Sequence, residues 1–298
     1  MMENISNSLI EVDREKCTKC EACIGACPAQ LYYIDEEILK IADIFEDTCI
    51  ECGHCVAICP VQAIHLKNYD KAEMRKVKKL QQHIPSFESF KNLALLRRSR
   101  RQFKDKEVPK SEIEKILNLT RYSPTAKNTQ NLYFSVVTDK KIVSQISKEL
   151  NNQMKMFVNL AEEERGREIL KTQMSEKGLE QSLEMLPQTK WILQKVEEGV
   201  DFWCWNGQLI SIHGEAELGG ISEDTSLAAA QIMLGAELLG LGTCSLGYLT
   251  YFSNRSKKIK KLLNIPKDHR VGYSLAIGYP VATYQRIPPR EELKVDWI

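Results

Sequence analysis

Eight of the ten cysteines lie between Cys17 and Cys59, in two runs that read CTKCEACIGACP and CIECGHCVAICP. Each run has the spacing Cys-x2-Cys-x2-Cys-x3-Cys-Pro. Three thiolates two residues apart can wrap a tight loop around one face of an iron–sulfur cubane, and a distant fourth closes the opposite corner. In runs of this spacing the fourth cysteine ligates the cluster of the other run, which interlocks the two halves. Cys17, Cys20, Cys23 and Cys59 are therefore expected to hold one 4Fe-4S cluster, and Cys49, Cys52, Cys55 and Cys27 a second. Pro28 and Pro60 turn the chain away after each fourth ligand. Zinc wants four ligands and a disulfide framework belongs to an oxidising compartment, so a duplicated four-cysteine run closed by proline fits neither. His54, between Cys52 and Cys55, could hydrogen-bond a cluster sulfur or simply be solvated.

A second constellation is RRSRRQF, in which Arg97, Arg98, Arg100 and Arg101 surround Ser99 and would repel one another unless an anion sat among them. Arginine makes forked contacts with phosphate, but taken alone the cluster reads equally as a solvated basic face. Trp203 and Trp205, in DFWCWNGQ, could stack on a ligand or belong to the core. His213 reads as a satisfied histidine at a strand end rather than a base. Cys204 and Cys244 read as buried, inert thiols, because a reactive one needs exposure and a lowered pKa. Gly240 and Gly242 lack a third glycine at Ser245, so a dinucleotide fingerprint is unsupported. No catalytic acid, base or nucleophile can be named from these residues.

Positioning both constellations takes about two domains, since 298 residues correspond to roughly 150 per domain. Up to Leu66 there are 12 acidic against 4 basic side chains, and the net charge of +1 leaves about +9 on the remainder. An acidic cluster domain thus precedes a basic body. No helix-turn-helix, RNA-binding or zinc-finger pattern accompanies that basic charge, so nucleic acid is not expected as a partner. The start, MMENISNSLIEVDREK, has no basic region followed by an apolar run. No secretory leader is expected, and the clusters point to a reducing cytoplasm. The apolar stretch from Ala228 to Leu249 is broken by Gln231, Glu237 and glycines, and reads as a buried helix and loop rather than a membrane span.

The first 66 residues show an internal repeat of strand, cysteine loop, helical turn and strand, the strands being LYYID and AIHLK. So small a domain has little apolar core, and cluster coordination is expected to supply its folding free energy. Residues 67–85 are rich in lysine and helix formers and read as a linker helix. Ser86 is placed to cap a helix through FESFKNLALL, and Ser111 with Glu114 to form a capping box for the next. Residues 140–200 read as helical and charged. QLISIHGE alternates as a strand, and residues 222–241 read as a long apolar helix capped by the acidic pair Glu223 and Asp224.

From about Phe90 to Arg290 the chain resembles the nitroreductase family of FMN enzymes. The resemblance rests on RRSRRQF, on SPTAKNTQ leading into a strand, on AAAQIMLGAELLGLGTCSLGYL and on LLNIPKDHRVGYSLAIGYP, in family order. It implies that Arg97, Arg98, Ser99 and Arg101 bind the FMN phosphate and ribityl chain, with Arg290 and Arg286 completing the phosphate site. It further implies that Pro124, Thr125, Ala126 and Asn128 reach the flavin across a homodimer, and that Ser245, Leu246 and Gly247 lie beside the isoalloxazine, where a backbone amide near Gly247 would face N5. The family's acidic or aromatic residues beside the flavin are not recognisable, which leaves the substrate unread.

The expected fold class is α+β: a ferredoxin-like two-cluster domain in residues 1–66, the linker in 67–85, and in 86–298 a nitroreductase-like mixed sheet with surrounding helices. Clusters move single electrons and a flavin can gather two and release them as a hydride. The combination reads as an iron–sulfur flavoprotein oxidoreductase, with two 4Fe-4S clusters and FMN, fed by an external low-potential donor such as ferredoxin. Its acceptor would be a small organic molecule: a nitro compound, a quinone or an activated alkene. A module for electron transfer or redox sensing, with no substrate of its own, is the alternative. An open pocket over the flavin favours the enzyme, and a flavin face covered by residues 140–200 favours the carrier.

Overall fold

The computed structural model describes residues 5–6, 9–70 and 73–298. Parts of the leader and linker readings, at Met1–Asn4, Asn7, Ser8, Lys71 and Ala72, lie outside the described residues. The chain divides into two units, Met1–Pro85 with Lys127–Thr129, and Ser86–Ala126 with Gln130–Ile298.

In the first unit β1 (Ile5–Ser6), β2 (Ile10–Val12), α1 (Ala22–Ala26), β3 (Tyr32–Asp35), β4 (Ile38–Ile41), α2 (Phe45–Thr48), α3 (His54–Ile58), β5 (Ile64–Leu66) and α4 (Val77–Gln81) follow in order. β2 pairs antiparallel with β1 and with β5, and β3 with β4. The duplication is written into the backbone. Lys19 and Glu51, Glu21 and Gly53, and Gln30 and Gln62 occupy equivalent places in the two runs, and all six have positive φ between 48° and 75°. Five of them are not glycine, so the surroundings must over-determine the loop. The core is a single small cluster around Ile10, Val12, Tyr32, Phe45 and Leu66, against which Cys17, Cys27, Cys49, Cys55 and Cys59 pack. Among the described residues of the linker the α-helix spans Val77–Gln81, a shorter span than the composition suggests.

The second unit contains α5 (Phe87–Leu96), α6 (Lys110–Leu119), β6 (Tyr133–Val137), α7 (Lys140–Glu162), α8 (Glu164–Lys171), α9 (Glu176–Glu184), α10 (Leu186–Glu197), β7 (Gln208–Glu215), α11 (Ile221–Leu238), β8 (Gly242–Ser245), α12 (Gly247–Ser253), α13 (Lys257–Leu262) and β9 (His269–Gly278). The four strands run in the order β6-β7-β9-β8 and pair antiparallel. A parallel bridge between Ser99 and Thr243 at the β8 edge makes the sheet mixed. Side chains alternate across the pleat. Ile210, Ile212, Leu275 and Ile277 pack with α6 and α11 on one face. Leu209 and Ala276 pack with α7, α10, α12 and α13 on the other. Helices therefore cover both sides, and the central strands are buried on both faces.

Three local details differ from the expectation. Ser86 does cap α5, its Oγ accepting from Ser89 N at 3.1 Å. α6, however, starts at Lys110 behind Pro109, and no side chain caps it, so Ser111 is already inside the helix and forms no capping box. α11 is entered through Gly220 at φ 65°, a left-handed residue that glycine adopts without strain. The Asp224 carboxylate is not a cap but accepts from Ala126 N at 3.0 Å, fixing the loop before β6.

His213 is satisfied, as its place at a strand end suggested. Its Nδ1 lies 2.8 Å from His269 Nδ1 and its Nε2 lies 3.2 Å from Ser135 Oγ. Burial first, then His269 and Lys260, pushes its pKa down to about 4. Because this lies below the ordinary value, the unfolded chain takes up the proton first as pH falls. The stability tied to the neutral ring is complete above about pH 6.5 and is lost towards pH 4. All four tryptophans lie in the second unit, so tryptophan fluorescence reports its unfolding. Denaturation so followed is expected to give a stability about 2 kcal/mol lower at pH 5 than at pH 7. His213→Gln should remove most of that difference, whatever it does to absolute stability; an undiminished difference in the variant would contradict the assignment.

Candidate active site

The cluster loops are built alike. Cys27 and Cys59 are the C-caps of α1 and α3. Leu31 N points to Cys27 Sγ at 3.5 Å and Ala63 N to Cys59 Sγ at 3.2 Å, and Glu51 N reaches Cys49 Sγ at 3.4 Å. Amides aimed at sulfur favour the thiolate that iron requires. A small cavity of about 30 Å³ is lined by Cys27, Cys49, Cys52 and Cys55 and by no other cysteine. The structure thus brings together the four thiols of one expected set, including the one contributed by the other run. Of the second set, Cys17 and Cys20 lie on the loop before α1, Cys23 is inside α1 and Cys59 closes α3.

The donor set fits such a group. The Tyr32 hydroxyl is buried without a hydrogen-bond partner. Cys55, Cys23 and Cys49 act on it, Cys55 without meeting hydrogen-bond geometry. A sulfide-bearing cluster held by Cys49 and Cys55, members of one expected set, would supply the acceptor it lacks. Burial pushes the Cys23 thiol up to about 11, so coordination must displace a proton there. Among the described residues no three His, Cys, Asp or Glu side chains converge as ligands of one ion would. A cubane asks for a different arrangement, with each sulfur bound to iron at a separate corner.

In the second unit the basic segment is pinned to the sheet edge. Arg100 N donates to Thr243 O at 2.9 Å, and Phe103 bridges to Pro280. Phe103 fits a socket that only glycines leave open. A Cβ added at Gly207 or Gly278 would come within 3.0 Å of its ring or below, and one at Gly242 would meet Arg100 Cγ at 2.5 Å. Arg100 is a structural member of the cluster. Its guanidinium donates to Ala282 O at 3.0 Å, lies 3.8 Å from Glu237 and stacks over Tyr284 at 4.0 Å. Tyr284 in turn donates to Ser99 O at 3.4 Å. The tail bearing Arg286 and Arg290 is exposed and returns to the basic segment through these contacts. Arg97, Arg98 and Ser99 are half-buried and Arg101 is exposed.

A cavity of about 570 Å³ opens where Arg101 meets Cys244, Ser245, Leu246 and Gly247. A Cβ built at Gly247 would meet nothing within 4 Å, so the space beside this loop is free. The opposite wall comes from α7, the α8–α9 and α9–α10 junctions and the turn before β7, through Met154, Phe157, Met174, Met185, Trp203 and Trp205. Asp201 builds that turn, accepting from Cys204 N at 3.3 Å, Asn206 N at 2.7 Å and Ser147 Oγ at 2.8 Å. Ser245 Oγ lies 2.5 Å from the Tyr273 hydroxyl, which fixes the loop's outer side. Pro124, Thr125 and Ala126 follow α6, anchored by Asp224. Asn128 belongs to the first unit, where its side-chain amide donates to Ile50 O and Glu51 O at 3.0 and 3.1 Å.

Residues 94–279 match the model of the nitroreductase family, and residues 9–76 match a 4Fe-4S dicluster domain. The chain belongs to the nitroreductase family. It carries an N-terminal dicluster domain in addition. Among relatives of the chain, an iodotyrosine deiodinase of Thermotoga neapolitana is 25% identical over 200 residues, covering 67% of this chain and 93% of that protein. A probable ferredoxin of Thermoplasma acidophilum is 42% identical over 41 residues, which are 14% of this chain and 59% of that one. The fold matches a solved nitroreductase with bound FMN from Desulfitobacterium hafniense at TM-score 0.51 and 18% identity, over 72% of this chain and 100% of the other.

Within this nitroreductase domain, the expected residues Arg101, Ser245, Leu246 and Gly247 share one cavity, while Arg286 and Arg290 stand outside its lining. Trp203 and Trp205 line the cavity; Trp203 also belongs to the core and Trp205 packs against it. The methionines of the far wall carried no signal, since Met154 lies in α7, Met174 between α8 and α9 and Met185 between α9 and α10, in a segment with no recognisable motif. Cys244 is buried; burial pushes its thiol up, and Arg101 draws it back only in part. Burial likewise pushes up Cys204. Neither thiol is therefore expected to react with iodoacetamide at pH 8 in the folded, cluster-loaded protein, as read by mass spectrometry of the digest. Labelling of Cys244 at the rate of a free thiol would contradict its burial.

Proposed function

We propose that this chain is an iron–sulfur flavoprotein oxidoreductase that takes electrons from an external low-potential donor, such as a ferredoxin, and delivers them to a small organic acceptor. When bound, the two 4Fe-4S clusters supply single electrons and FMN supplies the two-electron step. In this reading Cys17, Cys20, Cys23 and Cys59 hold one cluster and Cys49, Cys52, Cys55 and Cys27 the other. Arg97, Arg98, Ser99 and Arg101, with Arg286 and Arg290 of the tail, bind the phosphate and ribityl end of FMN. Ser245, Leu246 and Gly247 line the place for its ring. The functional division runs as residues 1–66, a linker in 67–85 and the flavin domain in 86–298.

The observation that carries the enzyme reading is the roughly 570 Å³ cavity beside Arg101 and the Ser245–Gly247 loop. Ligand pockets are typically about 300–1,000 Å³ and mostly apolar. Nitro compounds, quinones and activated alkenes are the acceptor classes that suit it. A cytoplasmic setting follows from the redox chemistry of the clusters.

The protein is further proposed to act as a homodimer, with Pro124, Thr125, Ala126 and Asn128 completing the partner's flavin site. α5 has no buried residue, although Phe87, Phe90, Leu95 and Leu96 are apolar and exposed. Leu227 and Leu238 of α11 are likewise exposed. A second copy of the chain would cover such surface by two-fold symmetry.

Anaerobically purified protein is expected to contain about eight irons per chain and, after reconstitution, one FMN. Cys49→Ala should halve the iron and lower the melting temperature of the first unit, while Cys244→Ser keeps both clusters. Zinc in place of iron, or no flavin after reconstitution, would overturn the reading.

A further inference from the structure

The two cysteine runs are duplicates, and one buried position breaks the duplication. Counting on from Cys27 and Cys59, equivalent places are held by Pro28 and Pro60, then Gln30 and Gln62, then Leu31 and Ala63, then Tyr32 and Ile64. Backbone donors follow the same frame, Leu31 N pointing to Cys27 Sγ and Ala63 N to Cys59 Sγ. A donor repeated in both runs cannot make the two clusters differ. Tyr32 and Ile64 can. Each is 2% exposed, but isoleucine has nothing to donate, whereas the tyrosine hydroxyl carries its proton at neutral pH.

That hydroxyl belongs with one ligand set. Tyr32 lines the small cavity shared by Cys27, Cys49, Cys52 and Cys55, and no cysteine of the other set lines it. Cys55 is the side chain at hydrogen-bonding range of the hydroxyl, and Cys23 and Cys49 act on it from farther off. The ring is held edge-on against Phe45 at 5.7 Å, and β3 fixes its backbone opposite Ile41. No acceptor of good geometry meets the hydroxyl. A buried donor in that state is costly, and native structures leave few of them.

We propose that Tyr32 is a positioning residue for electron transfer: its hydroxyl donates to the Cys55 thiolate and raises the potential of the cluster held by Cys27, Cys49, Cys52 and Cys55 above that of the other. This rests on the two-cluster reading. Reduction adds one negative charge to a cluster, and a donor at sulfur stabilises that charge, the more so where water is excluded. A single electron from the external low-potential donor then settles on this cluster; no bond forms or breaks, and Tyr32 keeps its proton. Lys19 and Glu51, at equivalent places beside the two sets, pull the other way. Lys19 is exposed, and the Glu51 carboxylate accepts from Asn68 Nδ2 at 2.9 Å in an exposed contact. Charges facing water are screened, and a buried hydrogen bond is not.

The test uses the full-length chain, purified anaerobically and holding about eight irons. Potentiometric titration with dithionite is followed by EPR of the reduced clusters. The unaltered protein is expected to show two separate one-electron midpoints. Tyr32→Phe keeps the ring and removes the donor. It should lower the higher midpoint by about a tenfold change in the ratio of reduced to oxidised cluster, about 59 mV for one electron, and leave the lower midpoint within about twofold in that ratio. Coincident midpoints in the unaltered protein overturn the proposal alone. So does a variant in which nothing moves, in which only the lower midpoint moves, or in which both move equally. Should Tyr32→Phe lose iron, Tyr32→Ile, which copies the other run, is read in the same way. A protein without two reducible clusters overturns the cluster reading, and the proposal with it.

Discussion

The hydrogen bond from Arg100 N to Thr243 O, together with the Phe103 ring in its glycine socket, is the constraint on which the flavin-domain site depends. Four arginines in five residues would splay into solvent if their backbone were free. Tied to the exposed edge of β8, the segment instead runs beside the Cys244–Gly247 loop, and alternation along it separates the side chains. Arg100 turns towards Glu237 and Tyr284 and becomes a strut. Arg101 turns into the cavity. The same anchoring closes an edge that would otherwise be open to pairing with another chain. Glycine is needed at 242 and 278 because the segment lies too close for a Cβ, so packing and site geometry have one cause.

The first unit solves a different problem. Its apolar core is small, and five non-glycine residues of the cysteine loops hold left-handed backbone. Each such residue costs free energy that a small domain can ill spare. Iron–sulfur coordination offsets it, because bonds to several thiolates fix the loop and are absent from the unfolded chain. The matched positions of these residues in both runs show that the loop conformation, and not only the cysteine spacing, was duplicated.

Legibility from sequence followed the range of the interaction concerned. The two expected ligand sets could be read because the spacing that implies them is local; one set, Cys27, Cys49, Cys52 and Cys55, lines a single small cavity. β7 and the helices of residues 140–200 were legible from periodicity. β4 was not, because its hairpin turns at Glu36 and Glu37 with φ of 46° and 59°, where glutamate takes a place usually given to Asn-Gly. Ser111 misled because Pro109 starts the helix one turn position earlier. The chamber's far wall was invisible for a plainer reason: Met154, Met174, Met185 and Trp203 are spread over 50 residues and meet only in the tertiary fold. Asp224 looked like a helix cap, and its long-range bond to Ala126 N leaves no trace in either local pattern.

A dicluster domain fused to a nitroreductase domain makes sense if one-electron carriers, rather than a nicotinamide, are the source of electrons. The direct measurement is anaerobic stopped-flow reduction of the FMN in the full-length chain, comparing reduced viologen or ferredoxin with NADPH. The comparison is then repeated in a Cys20→Ala/Cys52→Ala protein that cannot assemble its clusters but retains FMN. Cluster-dependent entry predicts rapid flavin reduction by the one-electron donors in the native chain, loss of that rate in the variant, and slow reduction by NADPH in both. Flavin reduction that is equally fast with and without clusters, or rapid with NADPH in both proteins, would contradict it.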